Sequence, residues 1–378
     1  MDKSTELIKF LREIIYSSGP IPFSTYMETV LYHPVYGYYS GSELHIGRKG
    51  DFVTSPHCHE LFGALLARQI EEFIDLAGGK DFSIVEIGAG AGYLAKDILK
   101  SMDRKNPSES VNYIISEPLP GLRDIQKNTL NGYDERVSWV RDIEEIGHLN
   151  GCIVSNELLD SFPVHVIEKR GNVFQEIYVD YNDNKGLFET TGDLSSDELA
   201  EYIERTGIYF EERYRTEANL AMKEWIEKIS SILICGFVMT VDYGYTAEEY
   251  FSVERNRGTL LSYMNQQVNE NFYEFPGCQD ITSHVNFSDL HGWGTENGFQ
   301  TIGYCPQWSF LAGLDIEDTF YEITGGKFNP FSPETAAIKM LILPHGMGSS
   351  HKVMVQSKGI EKNTDLKGFQ LKNDYKRL

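Results

Sequence analysis

Cysteine is scarce: the chain has five, Cys58, Cys152, Cys235, Cys278 and Cys305, an odd number with no C-x-x-C pair. That count argues against a disulfide framework or a zinc knuckle and fits reduced thiols. Long apolar runs are also missing. The longest, residues 232–241, is broken by Gly236 and falls far short of the ~20 residues that cross a bilayer, so no membrane anchor is expected. Positive charge is in deficit, with 34 Lys+Arg against 56 Asp+Glu and a net charge of −22. The basic residues are scattered rather than gathered into a stripe, which argues against nucleic acid and favours a cationic partner. The opening Met1-Asp2-Lys3-Ser4-Thr5-Glu6 lacks the basic region of a secretory signal and the Arg-rich character of a transit peptide, so a cytoplasmic protein is expected.

What is present is ample core material: 41% hydrophobic and 12% aromatic residues in a chain of 378. That length allows two or three units or one large α/β domain with insertions. The pattern divides into an N-terminal helix and ordered loop region (1–58), a nucleotide-binding core (59–163) and a hairpin with a helical insertion (164–231). The rest of the core follows (232–357), with 245–286 as a lid or substrate-recognition insertion, and then a frayed tail (358–378). Helical spacing marks 6–16, 59–76, 93–102, 122–130, 196–229 and 336–343. Strand-like runs stand at 82–87, 111–115, 137–140, 152–155, 232–241 and 352–356, with a hairpin around Arg170-Gly171-Asn172. Strands alternating with helices imply a parallel, doubly wound sheet. Residues 21–50 show no sustained period and read as loop.

The first core strand ends in Glu86-Ile87-Gly88-Ala89-Gly90-Ala91-Gly92, at the carboxyl edge where such folds bind nucleotides. Glycines let the backbone approach a ligand, and the following helix offers its N–H groups to a carboxylate or phosphate. A dinucleotide site wants G-x-G-x-x-G, but Tyr93 holds the third glycine position; this G-x-G-x-G spacing resembles the first motif of class I S-adenosylmethionine (SAM) methyltransferases. Glu117, ending the next strand, is placed for the two ribose hydroxyls. Asp142, after the run 137–140, joins the cofactor set. Asn156-Glu157-Leu158-Leu159-Asp160 lies on the same edge. On a starting helix, Glu157 and Asp160 face one way and would hold a guanidinium for attack on the sulfonium methyl. The plainer alternative is a cap at Asn156 with an acidic first turn.

Further motifs are Leu31-Tyr32-His33-Pro34 with Gly37-Tyr38-Tyr39, and Gly50-Asp51-Phe52-Val53-Thr54-Ser55-Pro56 with Leu61-Phe62-Gly63. Asp242-Tyr243-Gly244, Asp280-Ile281-Thr282 with His284, Met347-Gly348 and Lys352-Val353-Met354 follow in order. Together with the glycine turn and Asn156-Glu157, they resemble the MidA-type SAM-dependent methyltransferases, whose mitochondrial members methylate an arginine on a subunit of respiratory complex I during assembly. The resemblance spans residues 26–359. It implies a Rossmann-like methyltransferase core with inserted elements, SAM as donor and a protein arginine as acceptor. It also implies that Gly88, Gly90 and Gly92 line the methionine end of SAM, that Thr54, Ser55 and Pro56 form part of the cofactor pocket, and that Glu157 and Asp160 face the acceptor.

One departure stands out. Where the family reads T-S-P-E-I-S, this chain reads Thr54-Ser55-Pro56-His57-Cys58-His59. The lost glutamate removes a guanidinium partner. The new pair of histidines, His57 and His59, would ligate iron, manganese or zinc if Glu157, Asp160 or His284 completed the shell; otherwise they are ordinary capping histidines. The reading is a SAM-dependent methyltransferase acting on a basic protein or a small molecule. Its rivals are a metal-assisted methyltransferase with a small or carrier-bound acceptor, a non-catalytic assembly factor and an NAD oxidoreductase.

Overall fold

The computed structural model describes residues 3–40, 54–79, 81–105, 111–208, 210–264, 267–327, 329–361 and 364–378. Residues 50–53 of the Gly50 motif lie outside them.

The centre is a mostly parallel sheet. Its strands run, in spatial order, Gln300–Pro306, His351–Lys358, Leu233–Tyr245, Leu149–Asn156, Ser83–Ile87, Asn112–Ser116 and Val137–Val140, with Val285–Asn286 paired at the end of Leu233–Tyr245. His351–Lys358 runs antiparallel to both neighbours, and the other pairings are parallel. Helices cover both faces, so successive side chains of one strand enter different cores. Ile84 packs with Phe62, Phe73 and Phe237 on one face, and Val85 with Trp225, Phe287 and Trp293 on the other. Phe73 and Phe237 stack at 4.1 Å between centroids, fixing helix Leu61–Leu76 to the sheet. This is the expected α/β fold with a doubly wound sheet.

A five-stranded antiparallel sheet stands beside it, built on the hairpin His165–Arg170 and Val173–Asn182. A three-stranded sheet, Leu261–Met264, Gln267–Asn269 and Asp280–Thr282, gives order to the segment expected to be a lid. Among the described residues, no helix is long and apolar enough to cross a membrane.

Three segments differ from the sequence reading. Inside the expected loop 21–50, Phe23–Tyr32 is a helix whose Phe23, Tyr26, Met27, Val30 and Leu31 are buried, a 3.6 period bounded by Pro22 and Pro34. The single helical stretch 196–229 is instead Asp197–Thr206, closed by left-handed Gly207, then strand Arg215–Ala218, then Leu220–Ile232 capped by Asn219. The tail does not fray. Leu366 and Phe369 are buried, Phe369 packs on Phe310, and Asn373 bonds two residues of the outer strand, donating to Ile302 O and accepting from Tyr304 N.

Candidate functional site

The carboxyl ends of the parallel strands open into a cavity of about 660 Å³, lined by the glycine turn, Glu117, Asn156, Glu157 and Asp160 among others. Gly88 and Gly90 take left-handed φ values of 72° and 52°, which side chains resist. A Cβ on Gly88 would come within 2.8 Å of Leu158, while one on Gly90 meets no protein atom within 4 Å. Gly92 does not line the cavity. It packs under the turn against Gln126 and Leu130, so its expected contact with the methionine end is corrected to a structural one.

Glu117 sits at the end of Asn112–Ser116, mostly buried, with its carboxyl pushed up by that burial. It accepts from Leu119 N at 3.0 Å and from Gln126 Nε2 at 3.1 Å, leaving lone pairs on both oxygens. Gln126 was not singled out in the sequence. It is fully buried, donates also to Gly90 O at 3.0 Å, and accepts from Trp139 Nε1, tying the glycine turn to Glu117. Glu86 is buried in the cavity wall, accepts from the Tyr113 hydroxyl at 2.7 Å and is raised to about 7 by desolvation. Asp142 lies elsewhere: it caps the turn Ile143–Ile146, accepting from Glu144 N, and is absent from the cavity wall. An exposed N-cap explains that aspartate without a ligand.

Thr54, Pro56 and His57 line the cavity, whereas Ser55 turns away. Its amide donates to Glu157 Oε1 at 3.0 Å and its hydroxyl to Gln307. Asn156 Nδ2 also donates to Glu157 Oε1, at 3.2 Å, and His351 Nε2 stands 3.6 Å from it. Glu157 adopts φ 50°, a left-handed conformation that costs a non-glycine residue about 1 kcal/mol or more, and such strain clusters at functional sites. Because of that kink, Glu157 and Asp160 are not stacked on one helix face; Asp160 instead belongs to the turn Leu159–Ser161. Asp160 is buried, accepts from the Tyr243 hydroxyl, and is pushed up to about 7 chiefly by desolvation, with the Glu157 charge adding to the rise. Asp242 pins this turn from the neighbouring strand, accepting from Leu158 N and Leu159 N at 3.1 and 3.0 Å; burial raises its carboxyl as well. Tyr32 and Tyr39 stack at 5.5 Å in the wall and bond Ser161 and Asp280. The signal for Asp242 and Tyr243 was available: an acidic residue and a tyrosine at the end of a parallel strand.

Among the described residues, the histidine pair gathers no further metal ligand. His57 Nδ1 bonds Thr54 Oγ1 at 2.6 Å, and its ring meets Tyr93 edge-on. His59 Nδ1 accepts from Leu61 N at 3.0 Å, capping the next helix. His284 stands between Tyr243 and Tyr245, in the wall of a different cavity, and burial lowers it to about 4. Among the described residues, no group of three or more His, Cys, Asp or Glu is placed to hold a metal ion. The described donors therefore do not fit a transition metal. The chain's activity should be unchanged by a chelator, with metal content read by elemental analysis of untagged protein. Near-stoichiometric metal lost in His57→Ala would contradict this.

A family model described as S-adenosyl-L-methionine-dependent methyltransferase matches residues 65–305. The protein arginine methyltransferase NDUFAF7 homolog of Caenorhabditis elegans, named mitochondrial, is 28% identical over 348 residues, covering 84% of this chain and 78% of that protein. The NDUFAF7 of Mus musculus is 26% identical, covering 83% and 76%. A protein from Burkholderia thailandensis, solved bound to S-adenosyl-homocysteine, superposes with a TM-score of 0.92 at 33% identity, covering 100% of this chain and 97% of that one. These relatives overturn the cytoplasmic expectation, since the curated ones are named mitochondrial. Six opening residues were too little text to carry an address.

Proposed function

Since the chain belongs to the MidA-type S-adenosyl-L-methionine-dependent methyltransferases, we propose that its acceptor is a protein arginine, held in the cavity between the glycine turn and Asp160. SAM, when bound, supplies a methyl group on a sulfonium. The chain's residues do the rest: they bind, orient, exclude water and take one proton.

One observation carries this reading. Three polar atoms of cavity-lining residues, Asn156 Oδ1, Asp160 Oδ1 and Trp225 Nε1, are buried without a hydrogen-bond partner among the described residues. Each such orphan costs about 1–3 kcal/mol, so the wall is built for polar ligands it does not itself satisfy. Glu117 is assigned to the ribose hydroxyls, Gly88 and Gly90 to the close backbone approach, and Thr54 and Pro56 to the same pocket. Glu86, in the same wall, is assigned to the cofactor side as well. Ser55 acts indirectly, by holding Glu157.

On the acceptor side, Glu157, Asp160 and Asn156 offer carboxylates and an amide to a guanidinium, which favours charge-assisted, oriented bonds. His57 stands where the family has glutamate, so Glu157 and Asp160 carry this task without it. As the new N–CH3 bond forms and the S–CH3 bond breaks, sulfur keeps the bonding pair and the nitrogen sheds one proton. Asp160 is the assigned acceptor: a carboxyl raised to about 7 by burial is a far better base near neutrality than an ordinary aspartate.

The sign follows directly. Only the ionised form accepts a proton, so kcat should rise with pH through about 7. Asp160→Asn should remove that limb. Tyr243→Phe should move it to higher pH, because the lost hydrogen bond had favoured the carboxylate. A profile identical in Tyr243→Phe would remove Asp160 from the role. The acceptor itself is tested by adding methyl-labelled SAM and the full chain to extract from cells lacking it. After hydrolysis, label is expected in methylated arginine; label confined to other amino acids or to small molecules would overturn the arginine assignment.

A further inference from the structure

A second cavity, of about 990 Å³, shares no lining residue with the first. Four arginines line it: Arg213, Arg215, Arg255 and Arg257. In a chain with 34 basic residues against 56 acidic ones, that concentration is conspicuous, because neighbouring guanidiniums repel unless something anionic separates them.

Not all four are available. Arg215 is neutralised by Glu168 at 3.2 Å and Glu189 at 2.8 Å. Arg255 lies 3.7 Å over the Tyr245 ring and donates to Ser252 Oγ. Arg213 and Arg257 are exposed, and neither makes an ion pair among the described residues; Glu270, also exposed, is the remaining carboxylate of the lining.

The backbone holds these two in place. Arg213 sits at φ 63°, with its amide bonded to Lys169 O at 2.8 Å. Arg215 pairs with Arg257 in a parallel bridge, and its amide donates to Asn256 O at 2.9 Å. Beneath them, buried Glu217 accepts from Thr259 N and the Tyr250 hydroxyl, fixing the turn that carries Arg257. A non-glycine residue kept in the left-handed region two positions from a paired strand residue is the kind of strain that marks binding sites. One side of the lining is aromatic: His284 lies parallel to Tyr245 at 14° and 5.1 Å, Arg255 covers the Tyr245 ring, and Phe272 stands in the same lining. His284 Nδ1 is buried and has no partner among the described residues.

We propose that this cavity binds a small phosphate-bearing molecule with a flat ring, the phosphate between Arg213 and Arg257 and the ring against the His284 and Phe272 part of the lining. Guanidinium forks match phosphate oxygens in pairs, and aromatic faces accept a ring, so the two halves of the cavity recognise the two halves of the ligand. The site goes beyond the methyl-transfer reading, which uses none of these residues.

The test is a calorimetric titration of the full chain, first saturated with S-adenosylhomocysteine so that the cofactor cavity is filled. The probes are phenyl phosphate, inorganic phosphate and phenol. Phenyl phosphate is expected to bind one per chain, at least about tenfold tighter than phenol. In the double variant Arg213→Gln/Arg257→Gln, whose side chains are exposed, its affinity should fall roughly 30-fold, as expected for losing charge-assisted forks. S-adenosylhomocysteine affinity should stay unchanged in that variant, which reports its folding and separates this site from the other. Equal binding of phenyl phosphate and phenol, or wild-type phenyl phosphate affinity in the double variant, would overturn the proposal. Inorganic phosphate binding as tightly as phenyl phosphate would overturn the ring half of it.

Discussion

Glu117→Ala should weaken SAM binding about 100-fold. Two hydrogen bonds from ribose hydroxyls to a charged acceptor contribute roughly 1.5 kcal/mol each at the low end, and 1.4 kcal/mol is a factor of ten. The free carboxylate already accepts from Leu119 N and Gln126 Nε2, so its removal also loosens the link between Gln126 and the glycine turn. Glu117→Gln should fall in between, because its amide oxygen can accept one hydroxyl while its NH2 would oppose the Gln126 donor. Gly90→Val should be as damaging by a different route: φ 52° strains any side chain, and the added atoms enter open cavity rather than protein. Calorimetric titration with SAM checks all three. Wild-type affinity in both Glu117→Ala and Gly90→Val would place the cofactor elsewhere.

Glu157→Gln should lower kcat about 100-fold while leaving SAM affinity within about threefold. The amide oxygen can still accept from Ser55 N and Asn156 Nδ2, so the kinked turn survives. What disappears is the charge that pairs with a cationic acceptor, and a group acting in orientation and proton transfer is commonly worth two orders of magnitude. The split between kcat and cofactor affinity identifies the role. Loss of SAM binding in this variant would move Glu157 to the cofactor side.

The sequence carried the parts of the fold that depend on neighbours in the chain. Strand, glycine turn and helix at residues 83–105 were legible because their periods are local, and Glu117 was legible because it ends the next strand. What escaped depends on contacts across the chain. Ser55 was read as a pocket residue, but its amide is claimed by Glu157, 102 residues away. The left-handed kink at Glu157 is set by Asp242 gathering Leu158 N and Leu159 N, so the helical spacing of Glu157 and Asp160 was no guide to their directions. His284 shares a loop region with the expected acceptor site yet faces the second cavity, because Tyr243 and Tyr245, two apart on their strand and so on one face, hold its ring between them. Gln126 gave no signal, since a glutamine on an amphipathic helix reads as solvent-facing until the Trp139 and Gly90 contacts are seen.

The most direct measurement is the crystal structure of this chain with S-adenosylhomocysteine. The ribose hydroxyls should lie within hydrogen-bond distance of the Glu117 carboxylate, with the amino-acid end over Gly88 and Gly90 and the sulfur turned toward Asn156, Glu157 and Asp160. A ribose bound away from Glu117, or a sulfur facing away from Asp160, would contradict the account.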